Sequence, residues 1–280
     1  MKITSDLFKA YLHCPTKGWL RSGGEPRGTN SWADWVQSNA LIYRSEGIKQ
    51  LVREIPSVGA GEPKSWKEDG WLLAVDVTVQ ASSPSDSYTL ESFIDAVKRV
   101  SSPGRGKADQ FIPVKFCPAN KLTKYDRLLL AFDAWVISQA LGCEVKWGLI
   151  IHGDRHIDQR VNTIPFIGEV RKLVGGLAAL LASKAAPDLV LNRHCVECEF
   201  RNRCRKLAIE KDDLSLLEAM TEKERSKLHR KGIFTVTQLS YTFRPRKRSR
   251  RSANKHEQYH HSLKALAIRE KKIHIVGTPD

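Results

Sequence analysis

The chain has 280 residues, 41% of them hydrophobic and 28% charged. That is enough to bury the core of one large domain, alone or with a small appendage, and it excludes a chain disordered over most of its length. The net charge of +15 is uneven: residues 201–280 carry 21 basic and 9 acidic side chains, against 25 and 22 in residues 1–200. A near-neutral body with a strongly basic end points to a polyanionic partner, nucleic acid before an acidic protein surface. No stretch reaches the roughly 18–20 uninterrupted apolar residues of a membrane helix. The first residues lack a signal-peptide hydrophobic region. The expectation is a soluble, cytoplasmic protein with no membrane partner.

In chain order, residues 4–14 predict a short helix with Leu7, Phe8, Tyr11 and Leu12 on one face, stopped by Pro15. Gly23, Gly24, Pro26 and Gly28 predict a loop. Ser31 opens a long helix to about Ile55, with Asp34 as its capping-box partner. Trp32, Val36, Ala40, Tyr43, Gly47, Leu51 and Ile55 share one stripe of it. Residues 56–70 read as a polar loop. Residues 71–80 alternate as a strand, with Trp71, Leu73, Val75, Val77 and Val79 on one face. Residues 88–100 and 110–116 predict two further strands. A helix follows over 122–141, capped by Thr123 and Asp126. Strands over 144–152 and 156–163 and an apolar helix over 165–186 complete the body. Three strands in an antiparallel meander, then a helical crossover to a fourth, predict an α/β mixed sheet flanked by helices. That order is the one found in a restriction-endonuclease-like core.

Six cysteines occur. Cys117 and Cys143 are isolated among apolar segments and read as small buried hydrophobes. Cys195, Cys198 and Cys204 form C-x2-C-x5-C, a spacing of soft ligands suited to zinc or an iron–sulfur cluster. Cys14 could supply a fourth thiolate; for zinc, His194 is an alternative fourth ligand. An iron–sulfur cluster would take Cys14. Arg201, Arg203 and Arg205 lie among the last ligands and would aim such a loop at a phosphate backbone.

Cys14-Pro15-Thr16-Lys17 together with Cys195, Cys198 and Cys204 resembles the iron–sulfur-staple nucleases of the RecB/AddB type and the CRISPR-associated exonucleases. Ile112 through Pro118, Lys121 through Asp126, Leu128 through Asp133, Ile151 through Asp154, Gly232 through Tyr241, Arg244 through Lys247 and Leu263 through Lys271 resemble the RecB-like nucleases often fused to a ribonuclease H-like domain. The resemblance spans nearly the whole chain. It implies the PD-(D/E)XK fold and four thiolates (Cys14, Cys195, Cys198 and Cys204) around a [4Fe-4S] cluster. It further implies metal-dependent phosphodiester hydrolysis in DNA repair or recombination, with Mg or Mn as the ion. Members usually continue further, so Ile273-His274-Ile275-Val276 reads as a lead-in to another domain.

The same resemblance implies a Gly-x-x-His on an early helix, an Asp on the second strand and Glu-x-Lys on the third. Asp95 stands at the strand position, as metal ligand, and Lys115 at the Lys position, stabilising charge. Pro113 occupies the Glu position, and Gly47-Ile48-Lys49-Gln50 puts Gln50 where His is expected. Glu46, one residue before Gly47, could substitute by turning inward, and Glu91 could substitute because it shares a strand face with Asp95. A site so depleted also suits a non-catalytic DNA-binding module, with iron–sulfur or zinc, that serves a ribonuclease H-like or helicase partner.

Residues 214–239 predict two short helices, the first carrying Leu214, Leu217 and Met220 and the second, capped by Thr221 to Glu224, carrying Leu228, after which Gly232-Ile233 turns into Val236 and Leu239. They resemble a small helix-hairpin-helix appendage whose turn offers backbone N–H groups to DNA phosphate. Arg244, Arg246, Lys247, Arg248, Arg250, Arg251 and Lys255 follow without apolar periodicity and suit sequence-independent phosphate contact. The expected organisation is a nuclease-like domain over 1–208, a helical module over 209–242, and a basic loop and lead-in over 243–280.

Overall fold

The computed structural model describes residues 1–55, 58–60, 66, 71–82, 88–100, 109–183, 185–217, 220–244 and 261–274. The chain divides into two compact units, residues 1–26 with 30–187, and residues 27–29 with 188–280.

The first unit is α/β. Strand β1 (Lys2–Thr4) leads into helices α1 (Ser5–His13), α2 (Pro15–Ser22) and α3 (Ser31–Glu54). Then come β2 (Val58–Ala60), β3 (Leu73–Ser82), β4 (Thr89–Val100), β5 (Gln110–Cys117), α4 (Lys124–Leu141), β6 (Trp147–His152), β7 (Ile157–Asn162) and α5 (Ile164–Ala182). One mixed sheet runs β2-β3-β4-β5-β6-β7, with β1 added on β4. The β3–β4–β5 meander is antiparallel and β5 pairs β6 in parallel through α4, as the element order predicts. No helix of the described residues is long and apolar enough to cross a membrane.

The sheet buries both faces. On one, Leu51 of α3 packs with Leu73, Ala96, Val114 and Ile151. On the other, Phe8 of α1, Phe132 of α4 and Leu177 of α5 pack with Val77, Ile94 and Val97. The Phe8 and Phe132 rings stack at 4.7 Å. Gly47 lets α3 lie directly on β5, because a Cβ there would stand 2.2 Å from the Phe116 ring.

Several local expectations change. Pro15 does not end the helical region; after one extended residue, Cys14, it opens α2 at a first-turn position, where its missing N–H costs nothing. The cap of α3 is Asn30, whose side chain accepts from the Ala33 N–H, not Ser31. Trp32 lies on an exposed face rather than a buried stripe. The single face assigned to β3 splits: Leu73 and Val75 belong to the α3 side, Val77 and Val79 to the other. The phase slips at Asp76, whose φ of 55° interrupts the alternation.

The second unit holds a 3-10 turn at Arg193–Glu197, α6 (Arg201–Glu210), a 3-10 turn at Leu214–Leu216, α7 (Glu222–His229), α8 (Val236–Ser240) and α9 (His261–Glu270). Its apolar centre is Leu214, Leu217, Val236, Leu239 and Ala265. Thr221 and Glu224 form the capping box of α7, Thr235 and Gln238 that of α8, where Asp212 also accepts from the Thr237 N–H. Gly232 ends the α7 segment at φ 76°, a conformation that excludes most side chains.

Candidate functional site

The polar centre of the first unit follows from how the β4 edge is shared. On one side, β3 pairs β4 from Thr89 to Lys98. On the other, β1 takes Thr89 to Glu91 and β5 takes Ala96 to Val100. Ser92 to Asp95 therefore face a gap where the ladder is open. Side chains fill it, because buried backbone donors require partners. Ser5 at the start of α1 accepts from the Phe93 N–H through Oγ at 3.1 Å. The Asp95 carboxylate accepts from the Phe116 N–H at 3.2 Å.

Three ion pairs, made by two cations, flank this gap. Lys115 Nζ lies 3.2 Å from Asp133 Oδ2, and Ser92 Oγ donates to Asp133 Oδ1 at 2.5 Å. Asp133 is fully buried within α4. Burial works against the charge on Lys115, but the Asp133 and Asp95 carboxylates outweigh it and hold the ammonium above the ordinary lysine pKa. Burial raises the Asp133 carboxyl, against the pull of Lys115 and Ser92. On the α3 side, Arg44 Nε lies 2.7 Å from Asp95 Oδ1, and the same guanidinium binds Asp76. Asp76 stands across from Asp95 between the Val75–Ala96 and Val77–Ile94 pairs. Its turned backbone supplies the second carboxylate of this clamp.

The other positions weighed as ligands lie elsewhere. Gln50 is exposed and bonds Glu54 at 3.1 Å. Glu46 is exposed. Glu91 pairs with Lys2 at 2.6 Å and accepts from Gln80. Pro113 sits opposite Val97 inside the sheet, one residue before the β5–β6 ladder begins at Val114. Its missing N–H therefore coincides with a stretch still unpaired on the β6 side. One Asp95 oxygen is given to Arg44, the other to a backbone N–H, and Asp133 is held by Lys115, so no two free carboxylates face one another here. Arg44, Asp76, Ser92 and Asp133 escape the sequence reading. The signal for Asp133 was present: one acid inside the apolar run Leu128 to Ile137 demands a buried cation.

In the second unit, Asn192 caps the cysteine turn by accepting from the His194 N–H at 2.9 Å. Backbone N–H groups donate to sulfur: Asn192 to Cys195 Sγ at 3.2 Å and Phe200 to Cys198 Sγ at 3.4 Å. Backbone N–H groups of this kind make the bonds a metal-bound sulfur accepts, so this donor set fits a metal or cluster chemically. Cys204 lies in the first turn of α6, its N–H on the Phe200 carbonyl. Gly28 donates to the Glu199 carbonyl at 3.1 Å, an approach a Cβ would obstruct at 2.9 Å. Cys14 belongs to the first unit, between α1 and α2, its N–H on the Ala10 carbonyl. Among the described residues no group of three or more His, Cys, Asp or Glu side chains stands in metal-holding geometry. Arg201, Arg203 and Arg244 are exposed. Arg246, Lys247, Arg248, Arg250 and Arg251 lie outside the described residues.

Neither a protein-family model nor a curated protein matches this sequence. Among solved structures, the one described as "Crystal structure of SSO0001" is similar over 73% of this chain and 86% of that chain, with a TM-score of 0.42 and 14% identity.

Proposed function

We propose that this chain is a DNA-binding protein of DNA repair or recombination, built on a RecB-like, restriction-endonuclease-like sheet whose cleavage site is closed by an arginine. The observation that carries the reading is the Arg44 guanidinium seated on Asp95 and Asp76, where hydrolysis would need a free carboxylate pair. Pro113 in the Glu position acts in the same direction. The charge of +15, concentrated beyond residue 200, supports a polyanionic partner.

The cysteine turn supports the second part of the proposal: Cys195, Cys198 and Cys204, with Cys14, hold a [4Fe-4S] cluster or, with the same donors, zinc. Its N–H to sulfur bonds suit either. The helix-hairpin-helix-like segment around Gly232 and the run from Arg244 to Arg251 are the proposed phosphate contacts. A ribonuclease H-like or helicase protein is the proposed recipient of the bound DNA.

The alternative is a working metal-dependent nuclease in which Asp95 holds Mg or Mn and Lys115 steadies the attacked phosphate. One observation favours it: Lys115 is kept charged beside Asp95 and Asp133, next to the open β4 edge. DNA binding measured against salt tests the shared part of both readings. Binding should weaken steeply, and deleting residues 244–255 should lower the slope by roughly 0.9 log unit per lost phosphate contact. No binding at low salt would end both.

A further inference from the structure

We propose that the outer face of α3 is a stacking platform for the bases of single-stranded DNA, an inference that rests on the nucleic-acid reading above and names its substrate class. Trp32 and Trp35 stack on each other with centroids 4.8 Å apart and planes 20° from parallel. Both indoles nevertheless remain 47% and 55% exposed. Two adjacent exposed tryptophans are costly to leave in water, and their pairing leaves an extended flat π surface turned outward.

The same stripe continues along the helix. Ile42, Lys49 and Arg53 follow Trp35 at intervals of seven, seven and four residues, so they share its face, and all are exposed. The stripe runs about 27 Å from Trp35 to Arg53, at 1.5 Å per residue, long enough for several nucleotides. Aromatic rings at one end and two cations at the other match a strand whose bases stack while its phosphates follow the charge. Glu46 is the one acid on this stripe.

Charge selects among possible occupants. The stripe's own charge, Lys49 and Arg53 against Glu46, is net positive, so a second copy of the same face would repel it while a polyanion would not. An intact duplex already stacks its bases on one another and offers mainly phosphates to a protein surface. A single strand offers free base faces, and any base has one, so the platform reads no sequence.

The test compares a fluorescent oligothymidylate with a duplex of equal length, by anisotropy at one salt concentration. The Trp32→Ala/Trp35→Ala pair should lose about tenfold to a hundredfold in single-strand affinity, with duplex affinity changed less than about threefold. Trp32→Phe/Trp35→Phe should keep most of it, since a ring remains. Should the alanine pair fail to fold, Lys49→Ala/Arg53→Ala decides, with an expected drop in the single-strand salt slope of roughly 0.7 per lost contact. Equal losses on both DNA forms, or none on the single strand, overturn the platform. So does a change in sedimentation of the DNA-free protein, which would assign this face to self-association. Natural protein that binds duplex alone ends this inference and leaves the DNA-binding function standing. Natural protein that binds neither ends both.

Discussion

Arg44 joins two carboxylates that differ in how far they are enclosed. Asp95 is largely enclosed and depends on it, whereas Asp76 is more than half exposed. Arg44→Ala should therefore lower stability by about 2 kcal/mol, because an enclosed carboxylate loses its cation. Asp95→Asn in that background should recover part of the loss and Asp76→Asn little. Urea denaturation measures this, and equal recovery from either would place the energy elsewhere. Lys115 and Asp133 form the second decisive pair. Replacing Lys115 by Met should cost about 3 kcal/mol, as it strands a buried carboxylate. The Lys115 pKa is raised on folding, so its stabilisation is whole below the ordinary lysine value of 10.5 and is lost as pH climbs through the folded value. The gap between natural and Lys115→Met stability should narrow over that alkaline range. A gap constant with pH would contradict the pairing. Tyr43 offers a spectroscopic check. Its hydroxyl donates to the Gly153 carbonyl at 2.9 Å, and burial, with Cys117 and Asp154, pushes its pKa up to about 12. The neutral phenol's contribution is complete below the ordinary 10.0 and lost as pH rises through about 12. The ultraviolet alkaline titration should lose its last step in Tyr43→Phe.

At the scale of elements, the sequence shows the secondary structure better than it shows the contacts that close the site. Periodicity locates β3, β4, β5, α4 and α5 within a few residues, because each has a face to bury. The capping boxes of α4 and α7 are readable from Thr123 with Asp126 and Thr221 with Glu224. The phase slip at Asp76 was not readable, since a positive φ at a non-glycine residue has no local signature. Nor was Arg44: the clamp spans three elements, and nothing in α3 alone marks this arginine among its polar residues. Asp95 and Lys115 were found by resemblance to a motif, which gives positions but not the partners those side chains take. Gly47 is the test of the packing that presents Arg44. An alanine there gains about 1 kcal/mol of helix propensity. It also meets the Phe116 ring, a collision costing about 1–3 kcal/mol. Gly47→Ala should destabilise the protein, and Phe116→Leu should relieve it. Thermal melting of the single and double variants checks this, and a stabilised Gly47→Ala would refute the close contact.

For the whole molecule, the proposed function needs two properties together: a charge distribution that binds a polyanion, and a sheet whose Asp95 is held by Arg44. Metal content separates the cluster alternatives, since protein purified without oxygen should show iron–sulfur visible absorption, which zinc lacks. Cys198→Ser should lose metal and stability together, because ligation is coupled to folding. Unchanged metal content would remove Cys198 from the ligands. Binding without cutting can be measured by incubating the natural protein with plasmid DNA and Mg²⁺ or Mn²⁺. Mobility shift and strand breakage are read on the same samples. The DNA should be shifted and intact. Metal-dependent breakage that disappears in Asp95→Ala would contradict binding without cutting and establish the sheet site as a nuclease centre.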